Sequence, residues 1–261
     1  MIKSIKRNAR KINNISNERI RDELDKMLVT KRPKQAMRLL KITGLLQHVM
    51  PEVDALAGVK QGKYHTKDVW NHSLDVLQKV PPVLTKRLGA LLHDVGKKAT
   101  QQIVDDDVHF YTHEKVGAKL AGAILKRLKY PGDIIKRVTT SIEHHMRLKR
   151  SGDEGEIISD KALRKVKRTI GDHLEDLLDI MDADNKSHSS KSTQGKQIAG
   201  IKMRLKDLED IPVPTKLPIT GKDLIAMGLK PGPKFKKLLG KVQDAVDDNP
   251  NLTKQQAMDI I

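Results

Sequence analysis

Apolar positions recur at spacings of three and four along most of this chain, with turn residues between the runs, a pattern that predicts a mostly helical protein. Ser16 can cap a helix running through Glu18 to Leu28, and Pro33 can open a second that Gly44 closes. A third begins near Thr66 or Asp68 and must end before Pro81-Pro82. Leu84, Leu88, Leu91 and Leu92 then repeat at i, i+4, i+7 and i+8, a buried helix that ends as His93 and Asp94 are reached, with Gly96 as its stop. Thr112 caps a helix with Val116, Leu120, Ile124 and Leu128 on one side, where Gly117, Ala118, Ala121 and Gly122 admit a close neighbour. From Asp133 another carries Ile135, Val138, Ile142 and His145. Further helices are expected from Ser159 to Ile170, from Asp172 to about Ser187, and after a polar stretch on to Asp210.

Two segments break the pattern. Ile103-Val104 and Val108 to Tyr111 flank Asp105 to Asp107, a short hairpin around a solvated turn and the only plausible sheet. Pro212, Pro214 and Pro218 deny a helix and stiffen a connector. Beyond it Thr220 to Met227, Pro233 to Asp247 and Thr253 to Ile261 read as three short helices. The expected fold class is all-α, divided into an N-terminal helical segment (1–50), a main body (51–210) and a small helical tail (219–261).

Charge narrows the partners. Lys and Arg outnumber Asp and Glu by 50 to 33, and a formal net charge of +17 favours polyanions such as nucleotides or RNA. Six aromatic residues are too few for a platform on which successive bases stack, so RNA would be met mainly at its phosphates. The absence of Cys excludes disulfides and thiolate metal sites, leaving His, Asp and Glu as metal donors. The first residues lack the apolar run of a signal peptide, and no eighteen consecutive residues are apolar. A soluble, cytoplasmic protein without a membrane partner is expected.

Adjacent His93 and Asp94 offer a divalent cation two unlike ligands at a helix C-terminus, whose partial negative charge welcomes it. Lys97 follows with a mobile ammonium that could meet a phosphate oxygen. His72 shares an inward face with Val69 and Val76, which alone would suit a core histidine. Asp184, however, lies on the face of Leu177, Ile180 and Met181, where a carboxylate needs a cation or hydrogen bonds. His72, His93, Asp94 and Asp184 together can hold one ion with positions left for water and substrate. His113 and the pair His144-His145 offer imidazoles for a second, and the periodicity points His145 inward more clearly than His144. Imidazole-rich ligation suits manganese, iron, nickel or cobalt, with magnesium possible. His65 is close enough in sequence to His72 to bind substrate, and His188, one turn after Asp184, is a candidate outer ligand. The basic run Lys161, Arg164, Lys165, Lys167, Arg168 is a wet helix face or an RNA contact.

The succession of His72, the His93-Asp94-x-Gly-Lys97 box, His113, His144-His145 and Asp184 resembles the HD superfamily of metal-dependent phosphohydrolases. Asp68-Val-Trp-Asn-His72-Ser-Leu, Leu91-Leu-His-Asp-Val-Gly-Lys97, His113-Glu-Lys-Val-Gly-Ala118 and Glu143-His-His-Met146 resemble the HD portion of bacterial tRNA nucleotidyltransferases, the CCA-adding enzymes. Ser16-Asn-Glu-Arg-Ile-Arg-Asp-Glu-Leu24 and the tail box Gly228-Leu-Lys-Pro-Gly-Pro233 are similar to the segments on either side of it. The resemblance implies an HD-domain helical bundle within 51–210. It implies a primary ion on His72, His93, Asp94 and Asp184, a second served by His113, His144 and His145, and catalytic roles for Asp94 and Lys97. It further implies a phosphohydrolase of nucleotides or RNA ends, foremost a 2′,3′-cyclic phosphodiesterase with nucleotidase and phosphatase activity, working by metal-activated hydroxide. Two alternatives stay open: a tRNA- or RNA-binding module without catalysis, and a hydrolase of free nucleoside phosphates. Those enzymes begin with a nucleotidyltransferase head bearing a Gly-Ser turn and paired aspartates, and none precedes residue 16. Asp182-x-Asp184 has the spacing but lies in a helical pattern, where i and i+2 diverge. Nucleotidyl transfer is therefore not expected.

Overall fold

The structure is a computed structural model that describes residues 2–62, 67–105, 107–147, 159–188, 194–207 and 216–261. Helices α1 (Ile2–Asn8), α2 (Asn17–Leu28), α3 (Pro33–Ile42), α4 (Leu46–Val49) and α5 (Pro51–Asp54) precede α6 (Val69–Lys79) and α7 (Leu84–Leu92). After α8 (Lys97–Thr100) comes the hairpin β1 (Gln102–Val104) and β2 (Asp107–His109), antiparallel with Ile103 opposite Val108. Then follow α9 (His113–Arg127), α10 (Gly132–His144), α11 (Asp160–Ile170), α12 (Leu174–Asn185), α13 (Gln194–Asp207), α14 (Gly221–Ala226), α15 (Pro233–Asp248) and α16 (Lys254–Asp259). Among the described residues the hairpin is the only sheet, and no helix is long and apolar enough to cross a membrane.

By contacts the chain forms two compact units: Met1–Gly152 with Asp172–Ile198, and Asp153–Gly171 with Ala199–Ile261. In the first, Leu24 and Leu28 of α2 and Met37 of α3 join Leu74 of α6, Leu91 of α7 and Ile124 of α9 in one buried cluster. The N-terminal helices therefore share the core of the body. Sequence caps set several boundaries. The Ser16 hydroxyl accepts from the Arg19 amide, and the Asp68 carboxylate accepts from the Asn71 amide at 2.8 Å, as Ncap side chains do. Thr112 departs from expectation: it sits at φ 62°, and its side chain makes no cap hydrogen bond, so left-handed backbone turns the chain into α9.

Helix α12 is fixed on three sides. A Cβ at Gly89 of α7 would stand 2.5 Å from Cδ1 of Ile180, so the missing side chain lets α12 lean on α7. Val76, Val80, Ala90, Ile180 and Ala183 form a buried cluster between α6, α7 and α12. Arg137 of α10 donates twice to buried Asp176 (2.6 and 2.9 Å), and Lys86 of α7 meets Asp179 and Glu175, each at 2.7 Å. These contacts decide where Asp184 stands.

In the second unit Ile219, Leu224, Leu238, Val242, Val246 and Ala257 form the core. Helix α11 packs on α15. Arg168 pairs with buried Asp247 at 2.7 Å, Lys165 with Asp244 at 2.8 Å, and Arg164 donates to the Asp247 carbonyl at 3.1 Å. Much of the basic run read as a wet face or RNA contact is thus engaged by the tail's own acidic helix. It also moves 160–170 from the expected body of 51–210 into the tail unit. Neither helix alone carries that information, because the pairs join residues about eighty positions apart in sequence.

Candidate metal centre

Helix ends and one helix centre deliver the buried polar side chains to a single place. His72 lies within α6, His93 caps α7 with Asp94 directly after it, His113 opens α9, His145 caps α10, and Asp184 lies near the end of α12. None of the six is more than 6% exposed.

Asp94 is the hub. Its Oδ2 lies 3.1 Å from Nε2 of His93 and 3.8 Å from Nε2 of His72, while its Oδ1 lies 3.5 Å from Nε2 of His113 and 3.9 Å from Nε2 of His145. Asp184 Oδ1 is 2.9 Å from Nε2 of His72. The carboxylate of Asp94 therefore divides its two oxygens between two pairs of histidines.

Three of those rings are oriented from behind. Nδ1 of His93 meets the Ala90 carbonyl at 2.8 Å, Nδ1 of His113 the Phe110 carbonyl at 2.8 Å, and Nδ1 of His145 the Ile142 carbonyl at 2.6 Å. A carbonyl can only accept, so in each neutral ring Nδ1 carries the proton and Nε2 presents a lone pair to the centre. Backing of this kind accompanies metal-ligating histidines. Nε2 of His113 and Nε2 of His145 stand 3.3 Å apart, a contact between two lone pairs that a cation would relieve. Nε2 of His93 is buried and makes no hydrogen bond.

The spacings fit a divalent ion. Donors about 2.1 Å from a common ion stand about 3 Å apart when adjacent and about 4.2 Å when opposite. The donor atoms of His72, His93 and Asp94 lie within 4.8 Å of one another, as do those of Asp94, His113 and His145, and those of His72, Asp184 and His188. Burial would raise the Asp94 carboxyl, but the charges of His93 and Lys97 outweigh it and hold it well below the ordinary carboxylate range. Burial pulls His93 down, yet Asp94 more than offsets it and leaves the imidazole above its usual value. His113, more dominated by burial, is lowered.

The family described as "HD domain" matches residues 63–199, just over half of the chain and the stretch that holds every one of these donors. The chain belongs to the HD domain family. An HD domain marks a metal-dependent hydrolase in general, and this one carries the donor clusters for a divalent ion. Residues 1–56 match a second family, described as "Probable RNA and SrmB- binding site of polymerase A". Relatives of the HD-domain chain include the CC-adding tRNA nucleotidyltransferase of Thermus thermophilus, 31% identical over 249 residues, covering 92% of this chain and 55% of the relative. The A-adding tRNA nucleotidyltransferase of Deinococcus radiodurans is 32% identical over 243 residues, covering 87% of this chain and 54% of the relative. A multifunctional CCA protein of Pseudomonas fluorescens is 37% identical over 123 residues, 44% of this chain and 29% of the relative. The chain spans about half the length of the first two. The likeness to CCA-adding enzymes that the motifs implied is borne out.

Within the HD domain, His72, His93, Asp94, His113, His145 and Asp184 converge. His144 does not join the donor groups; it lines a surface cleft with Glu114, Glu143, Met146 and Arg147, and burial lowers its pKa. His65 lies outside the described residues. Lys97 is buried rather than mobile, its Nζ 2.8 Å from Asp94 Oδ2 and 2.6 Å from Oε1 of Gln61. Gln61 escaped the sequence reading because a polar residue in a loop carries no periodic signal. Asp182 diverges from Asp184 as the helix requires, pairing with Lys186 at 2.6 Å. Gly96 has a role other than the expected helix stop: its φ is −73°, within reach of any residue, and what it supplies is room.

Proposed function

We propose that this HD domain is a phosphohydrolase of nucleotides or RNA ends, with 2′,3′-cyclic phosphates as the preferred class and nucleotidase or phosphatase activity beside it. The observation that carries the reading is the division of the Asp94 oxygens between two pairs of histidines, three of the four rings backed by a backbone carbonyl. His72, His93, Asp94 and Asp184 would hold one ion, and Asp94, His113 and His145 a second, with Asp94 common to both. Bound there, divalent ions would generate a nucleophile from water at neutral pH and draw charge from the phosphoryl group. Imidazole-rich donors favour manganese, iron, nickel or cobalt over magnesium. Lys97 stands beside Asp94, where its ammonium can neutralise a phosphate oxygen away from bulk water. The low pKa of Asp94 keeps it anionic, so that it can orient a water by accepting its hydrogen bond.

The test is hydrolysis of a panel of 2′,3′-cyclic nucleotides, nucleoside phosphates and 2′,3′-cyclic RNA ends with each metal added. Turnover that needs metal and is lost in Asp94→Ala is the expected result, and equal turnover by both proteins removes the assignment. Turnover of free nucleoside phosphates alone would move the substrate class.

A second reading has its own support. The match of residues 1–56 to an RNA-binding family and the charge of +17 fit an RNA-binding role, with tRNA as the candidate through the names of the relatives. It predicts steeply salt-dependent tRNA binding that survives loss of the donors. The activities in the relatives' names belong to proteins of which this chain spans about half.

A further inference from the structure

We propose that His188 is a ligand of the ion held by His72 and Asp184, so that the centre binds its two ions unequally. This rests on the two-ion reading above and deepens it.

Past the end of α12 the backbone keeps turning. The Ser187 amide donates to the Asp184 carbonyl at 2.8 Å, the His188 amide to the Asn185 carbonyl at 3.3 Å, and the Ser187 hydroxyl to the Ala183 carbonyl at 2.7 Å. The extra turn brings His188 back over Asp184, four residues before it. Nε2 of His188 lies 3.4 Å from Asp184 Oδ1, the same oxygen that Nε2 of His72 approaches at 2.9 Å. The His188 and His72 rings are parallel to within 5°, with centroids 5.5 Å apart. Two imidazole nitrogens thus face one carboxylate oxygen, at spacings that donors around one ion adopt.

His72 decides how many ions these groups can serve. It belongs both to the group with His93 and Asp94 and to the group with Asp184 and His188, and the same nitrogen, Nε2, faces Asp94 Oδ2 and Asp184 Oδ1. A ring nitrogen has one lone pair, so the two groups share one ion. That ion then has five protein donors: His72, His93, Asp94 Oδ2, Asp184 and His188. An octahedral ion so held keeps one position for water or substrate. The other ion has three, Asp94 Oδ1, His113 and His145, and more open positions. The first is the anchor and the second the exchangeable ion. His188 is also the most accessible member, its side chain 14% exposed against 3% for His72, so it can be replaced without opening the core.

The experiment uses the full chain loaded with Mn(II), dialysed against a graded chelator series and assayed for bound metal, beside His188→Ala. Wild type should give up one ion early and hold the other. His188→Ala should lose the retained ion at a chelator concentration at least about tenfold lower, the scale on which even outer partners of metal ligands act. The early step should not move. Pulsed EPR of the Mn(II) left after the early step separates ligation from mere support of Asp184: three coordinated imidazole nitrogens in wild type, two in the variant. Equal retention with an unchanged nitrogen count overturns the role of His188 and leaves the centre intact. A wild-type chain that retains no ion overturns the metal reading itself. If His188→Ala fails to fold by circular dichroism, the nitrogen count on wild type decides, two instead of three counting against the proposal.

Discussion

Gly96 and Gly117 are in backbone contact: a Cβ at Gly96 would stand 2.6 Å from the Gly117 amide nitrogen and 2.2 Å from the His113 carbonyl oxygen. The turn that carries His93 and Asp94 can therefore lie directly on the first turns of α9, which sets His113 beside Asp94. Backbone cannot yield as a flexible side chain would. Gly96→Ala should lose about 3 kcal/mol of stability, the upper end for overpacking, and should loosen metal binding at His113. Gly117→Ala meets its nearest neighbour at 3.3 Å and should cost about 1 kcal/mol. Urea denaturation of the two variants checks the order, and equal costs would refute the contact as the cause.

The clamp between Arg137 and Asp176 predicts an asymmetry. Asp176 is buried, while the Arg137 side chain remains 35% exposed. Asp176→Ala leaves a guanidinium that water can reach, at a cost of about 1 kcal/mol. Arg137→Ala leaves a carboxylate without its partner in the interior, which should cost about 3 kcal/mol. Chemical denaturation at neutral pH measures both. A larger loss from the aspartate variant would contradict the argument.

Most of the helices were legible because their signals are local: the leucines of 84–92, the cap at Ser16, and the proline that opens α15. Inward-facing His72 and Asp184 were legible for the same reason, since periodicity reports a face. What periodicity does not report is which faces meet. The separation of His145 from His144 was already visible in the period of their helix, whereas the room that Gly96 makes and the pairing of α11 with α15 both depend on contacts between distant segments. The backing of three imidazoles by carbonyls three residues earlier was equally silent, because every residue except its geometry looks alike there.

Asp75 links stability to acid. Burial pushes its carboxyl up, but hydrogen bonds and charge from Lys34 and Lys67 outweigh this and hold its pKa below the ordinary value. A carboxylate with a depressed folded pKa contributes stability above its unfolded pKa of about 3.9 and loses it as pH falls through the folded value. Asp75→Asn should therefore be less stable than wild type by about 1–2 kcal/mol at pH 7. The gap should hold down to about pH 4 and close below it. Urea midpoints across that range test the sign; a gap that widens in acid would reverse it.

Lys97 gives a prediction in which two measurements move in opposite directions. Its ammonium lies 2.8 Å from an Asp94 oxygen that also faces His72 and His93, so it repels any cation held there. Two unit charges about 4 Å apart interact by about 4 kcal/mol at an effective dielectric of about 20. Part of this is relieved as the lysine stem adjusts, and Lys97→Met should still raise ion affinity by at least about tenfold, roughly 1.4 kcal/mol. The same ammonium is the group poised to stabilise phosphate charge, so kcat for a cyclic nucleotide should fall by about 10²–10³. If Lys97 served only to hold Asp94 in place, affinity and turnover would fall together. Isothermal titration with Mn(II), set beside the kinetics of the metal-saturated variant, separates the two.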